Sequence, residues 1–72
     1  MSQLIAKHLI KILEENGFVF RRQNGSHLIF KNFKTNITLP VPVHGKKDPI
    51  HKGTLASIIA QSKLPKEKFF KK

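Results

Sequence analysis

The residues best suited to chemistry gather around His27, which directly follows Gly25-Ser26 and has Arg21, Arg22 and Lys31 within a few positions. An imidazole suits proton transfer near neutral pH, because its free pKa of about 6.5 leaves a large neutral fraction able to accept a proton. Beside a ribose, such a base can take the proton of the 2′-hydroxyl, so that this oxygen attacks the adjacent phosphate. Cations close by would stabilise the negative charge that develops on the phosphorane. The reaction needs no metal. Spacing alone also fits a plainer reading, in which His27 is a polar residue at a strand start beside a turn and Arg21 and Arg22 are a solvated strand edge.

The other polar groups narrow the choice of chemistry. His8, His27, His44 and His51 match no familiar metal-ligand spacing, and with four carboxylates and no cysteine to assist, neither a metal site nor a cofactor is expected. No phosphate loop of Walker type occurs. Asp48 stands alone in a polar loop, so no Ser-His-Asp arrangement can be argued. His8 reads as a helix-surface residue and His51 as loop. Lys46, Lys47 and Lys52 lie close to the start of an expected helix, where side-chain charge adds to the positive end of the dipole, and they are candidate phosphate contacts. Their plain alternative is a loop that merely keeps the protein soluble.

Length and composition set the frame for these residues. A chain of 72 residues is expected to form one domain, residues 1–72, because it cannot divide into two parts that each bury a core. With 39% hydrophobic residues and six phenylalanines it holds one modest core. Fourteen Lys and Arg against four acidic residues give a formal charge of +10, which points to a polyanionic partner. No signal pattern and no apolar run of roughly 20 residues is present, so a soluble, cytoplasmic protein with no membrane partner is expected.

Five elements position the candidate residues. Ile5, Ala6, Leu9, Ile10, Ile12 and Leu13 recur at three- and four-residue spacing, which predicts a helix over about 3–16, capped by Ser2 and stopped at Asn16-Gly17. Strands are expected over about 18–23 and 27–32, since Asn24-Gly25 is a strong hairpin signal. A three-residue loop, Asn24-Gly25-Ser26, is the preferred connection. It places Phe18, Phe20, Leu28 and Phe30 on one face and Arg21, Gln23, His27 and Ile29 on the other, whereas a two- or four-residue loop would mix them.

A third strand over about 37–43 alternates Ile37, Leu39, Val41 and Val43 with Thr38, Pro40, Pro42 and His44, and the two prolines at one parity mark it as an edge strand. Thr54 is expected to cap a second helix over about 54–63, with Leu55, Ile58 and Ile59 turned inward and Leu64-Pro65 ending it. The tail can add a turn that sets Phe69 and Phe70 on the body, with the final lysines free. Two helices on one face of a three-stranded antiparallel sheet make an α+β domain of α-β-β-β-α order. His27 then falls on the open face.

The same residues carry a resemblance. Leu9-Ile10-Lys11-Ile12-Leu13 leading to Asn16-Gly17-Phe18, then Arg22-Gln23-Asn24-Gly25-Ser26-His27, then Leu39-Pro40-Val41-Pro42-Val43-His44-Gly45, then Lys52-Gly53-Thr54-Leu55 with Ile58, resemble the HicA family of messenger-RNA interferase toxins. The resemblance runs from about Leu4 to Leu64, with four short motifs in the same order and nearly the same spacing. It implies a fold like a double-stranded-RNA-binding domain and a metal-independent endoribonuclease acting on mRNA. It also implies a HicB-type antitoxin protein that binds and blocks the toxin. The family's catalytic histidine, in Gly-Ser-His, maps onto His27, with Gly25 and Ser26 shaping the turn.

A proton donor for the leaving 5′-oxygen is not identified: protonated His27 acting later, His44, a lysine and water all stay open. Arg22 is the preferred group for transition-state charge. Two other functions compete with the nuclease. One is a non-catalytic RNA-binding module of the same fold, reading duplex shape; the other is a protein whose only role is to dock an acidic partner.

Overall fold

The computed structural model describes residues 4–43 and 49–70. The first helix, α1 (Ala6–Glu15), leads into a meander of β1 (Phe18–Asn24), β2 (His27–Asn32) and β3 (Ile37–Pro42), followed by α2 (Lys52–Ser62) and the single turn α3 (Glu67–Phe70). The sheet is antiparallel in the order β1-β2-β3, so the expected α-β-β-β-α layout holds. Because β3 is an edge, its two prolines leave no ladder bond unmade: Val43 donates its amide to the Ser26 carbonyl at 2.8 Å, which turns the neighbouring Pro42 nitrogen away from β2.

The helix α1 follows its apolar stripe, burying Ala6, Leu9 and Leu13 and half-burying Ile10 and Ile12. Its start differs from expectation. The N-cap is Ile5 rather than Ser2, which lies outside the described residues. The reason is a tertiary contact: Ile5 bridges Pro49, and the Ile50 amide donates to the Leu4 carbonyl at 2.7 Å, which holds Ile5 extended until the helix begins at Ala6. At the other end Asn16 Nδ2 donates to the Ile12 carbonyl at 2.7 Å, and Gly17 takes a φ of +94°, a left-handed stop that suits glycine.

The hairpin corrects the preferred loop. Asn24 pairs with His27, so the turn is the two residues Gly25 and Ser26, yet the aromatic face survives because Arg21 is bulged out of the ladder. Below the bulge Phe20 pairs with Phe30 and above it Arg22 pairs with Ile29. One extra residue reverses the parity that the shorter turn would otherwise impose. Gln23 therefore sits opposite Leu28 on the covered face, while Arg22 and not Gln23 joins His27 and Ile29 on the open one.

The core is built from Leu9, Leu13, Phe18, Phe30, Leu39, Val41, Leu55, Ile58 and Phe69. Phe20 is 48% exposed despite its parity, since it lies on the edge strand beyond Phe18 and reaches the core only through an edge-on contact with Phe30 at 5.9 Å. The helix α2 begins at Lys52 with His51 as N-cap, two residues earlier than expected, and Thr54 lies within its first turn. Pairing of Pro49 and Ile50 with Leu4 and Ile5 delivers the chain at that point, and the His51 carbonyl accepts from the Leu55 amide at 2.8 Å.

The end of α2 is set by Ser62, whose Oγ donates to the Ile59 carbonyl and accepts from the Leu64 amide, with Lys63 left-handed at φ +63° before Leu64-Pro65. Of the tail aromatics only Phe69 is buried. Adjacent residues point about 100° apart on a helical turn, so Phe70 stays at the surface.

Candidate functional site

His27 is the first residue of β2 and is exposed. The turn before it is held from both sides: Gln23 Nε2 donates to the Gly25 carbonyl at 2.9 Å, and the Ser26 carbonyl accepts the Val43 amide. Gly25 has a φ of +64°, a region that L side chains seldom enter, so glycine serves this turn directly. Backbone bonds thus fix where His27 sits on the sheet, and its imidazole is exposed rather than packed.

Pairing decides which cations share its face. Arg22 pairs with Ile29 and Asn24 with His27, which makes Arg22 and His27 diagonal cross-strand neighbours, a separation that long side chains span. Arg21 and Lys31 gather elsewhere. Their charged ends lie 5.1 Å and 5.2 Å from the centroid of the exposed Phe33 ring, in the turn after β2. Lys31 is on the face of His27 but four residues along the strand, roughly 13 Å away. The structure therefore brings Arg22 to His27 and builds a separate cation and aromatic cluster with the other two.

A groove of about 540 Å³ opens beside His27. From the sheet it is lined by His27, Pro40 and Pro42, and from the second helix and its cap by His51, Gly53, Thr54, Ser57, Ile58 and Gln61. Pro42 pairs with His27 and Pro40 with Ile29, so all three sheet residues belong to the open face. The helix α2 packs along β3 and thereby extends past the sheet edge to form the second wall. Across that wall Gln61 Nε2 donates to Ser57 Oγ at 2.8 Å.

His51 is the residue that sequence reasoning missed. It is exposed and caps α2 without a side-chain hydrogen bond to the helix, which leaves its ring available to the groove. A signal existed: positions 51, 54, 58 and 61 repeat at helical spacing and so share one side of α2. Nothing local links that side to a histidine 24 positions earlier. Lys52, adjacent to His51, is exposed at the first position of α2, whereas Lys46, Lys47 and His44 lie outside the described residues.

Among the described residues no three His, Asp or Glu side chains come together as a metal site would require. No helix among them is long and apolar enough to cross a membrane. A family model described as HicA toxin of bacterial toxin–antitoxin matches residues 6–64. Among curated proteins none matches the chain.

Proposed function

Since the chain belongs to the HicA family and is a toxin of a bacterial toxin–antitoxin system, we propose that it acts as a metal-independent endoribonuclease on mRNA with His27 as its base. The observation that carries this reading is an imidazole exposed at the rim of an open groove, with the Arg22 side of β1 as its neighbour. Neutral His27 accepts the 2′-hydroxyl proton, the freed oxygen attacks phosphorus, and the Arg22 guanidinium offsets the charge that develops. The 5′-oxygen leaves, giving a 2′,3′-cyclic phosphate. A formal charge of +10 supports attraction of the RNA, with Lys52 at the groove's end and Arg21 and Lys31 around Phe33 as further contacts to its backbone.

The antitoxin we infer is of HicB type. An acidic surface that covers His27 and the surrounding cations would shut off the groove, because among the described residues His27 and His51 are both exposed at its walls. The reaction would take place in the cytoplasm, where mRNA is found.

The test is direct. Purified protein, incubated with single-stranded RNA in chelator, should give fragments ending in 2′,3′-cyclic phosphate. His27→Ala should lower the rate by about 10²–10⁴-fold while leaving RNA binding nearly intact. Intact RNA beside tight binding would overturn the nuclease reading in favour of a binding module.

A further inference from the structure

Cleavage by a 2′-oxygen has two proton transfers on opposite sides of phosphorus. The attacking oxygen loses a proton on one side, and the departing 5′-oxygen needs one on the other, because the two lie in line in the pentacoordinate species. His27 begins the step neutral, as the acceptor. It therefore cannot be the donor in that same step, and a concerted cleavage draws the proton from a second donor, a side chain or water, across the scissile phosphate.

The groove holds one such group. His27 stands on its sheet wall and His51 on its helix wall, and both are exposed. Among the described residues that line the groove these two are the titratable ones; the rest of the lining is proline, glycine, hydroxyl, amide and isoleucine. Among the described residues the nearest charged ones by chain or pairing are Arg22, diagonal to His27 on β1, and Lys52, next to His51 at the start of α2, with Lys31 further along β2. The groove face of β3 contributes none. A lysine is a poor donor at neutral pH, since its ordinary pKa of about 10.4 makes it hold its proton, whereas an imidazolium releases one near working pH.

We propose that His51 is a catalytic residue of the cleavage reaction, the general acid that protonates the leaving 5′-oxygen. The inference rests on the nuclease reading given above. As the 2′-oxygen bonds to phosphorus, its proton passes to His27. As the bond from phosphorus to the 5′-oxygen breaks, that oxygen takes the proton of the His51 imidazolium. The products are a 2′,3′-cyclic phosphate and a free 5′-hydroxyl, with His27 protonated and His51 neutral. One proton is gained and one lost, so the enzyme returns to its starting state by exchange with water.

His51 makes no side-chain bond to its helix, so replacing it should spare the fold. The discriminating probe is a short RNA whose scissile linkage carries sulfur in place of the 5′-bridging oxygen, because a thiolate leaves without a proton. On ordinary RNA, His51→Ala and His51→Gln should each slow cleavage by about 10²–10⁴-fold. On the sulfur-linked RNA both should come within roughly tenfold of the unaltered protein, while His27→Ala stays impaired on both. In the pH profile the His51 variants should lose the alkaline fall in rate and keep the acidic one.

Two results overturn the proposal while sparing the nuclease: wild-type rates for both His51 variants beside a dead His27→Ala, or an equal loss on the oxygen and sulfur substrates. Failure of the unaltered protein to cut either RNA, or full activity of His27→Ala, overturns the nuclease reading and this inference with it.

Discussion

His27 and Arg22 owe their proximity to hydrogen bonding rather than to packing, and so should tolerate replacement without loss of the fold. Both are exposed, and substitutions at such positions usually change stability by no more than about 0.5 kcal/mol. Arg22 should affect the chemical step. Arg21, occupied with Phe33, should not. In single-turnover cleavage, Arg22→Ala is expected to slow the reaction by about tenfold or more, the scale of one lost charge-assisted contact. Arg21→Ala should weaken RNA binding with little change in the saturated rate, and equal rate losses for both would refute the face assignment. Of these residues the special position of His27 was legible locally, from glycine and serine before it and basic residues around it. Which arginine shares its face was not, because that depends on pairing between strands.

At the scale of elements the bulge at Arg21 reconciles two local preferences that conflict. The turn favours two residues, Gly25 and Ser26, and the aromatic face demands Phe20 opposite Phe30. Deleting Arg21 leaves Phe20 followed by Arg22, which pair with Phe30 and Ile29 in a regular ladder. The shortened protein should therefore fold and keep cleaving RNA, as judged by its urea midpoint and its activity; an unfolded product would show that the bulge does more than restore parity.

A second junction ties α1 to the sheet. Buried Asn32 accepts the amides of Lys34 and Thr35 at 2.9 and 3.1 Å and donates to the Asn16 carbonyl at 3.3 Å, which joins the end of α1 to the turn after β2. Gly17 packs against it, and a Cβ there would lie 3.1 Å from Asn32 Nδ2 at a φ of +94°. Gly17→Ala should cost about 1–3 kcal/mol in urea unfolding, and Asn32→Ala a similar amount through its lost turn bonds.

For the molecule as a whole, the proposed function assigns encounter with RNA to the charge of +10 and the chemical step to the groove. Affinity for RNA should fall steeply with salt, the logarithm of the binding constant decreasing linearly with that of salt concentration by roughly 0.7 for each phosphate neutralised on a single strand. Titrations between low and physiological salt check this, and a flat response would remove the electrostatic role assigned to the basic surface. If His27 and its neighbours in the groove carry the chemical step, the cleavage rate at saturating RNA should depend on salt far less.

By itself the sequence determined the order of the elements, the apolar stripe of α1, the edge character of β3, the charge and the setting of His27, because each depends on periodicity or on neighbours a few positions apart. Only the tertiary structure decided the two-residue turn with its compensating bulge, the start of α1 at Ala6 and the arrival of His51 in the groove. Those features arise where distant segments compete or meet: β1 against β2, Leu4 and Ile5 against Pro49 and Ile50, and α2 against β3. Local propensity has no access to such contacts, which form only when the chain closes on its core.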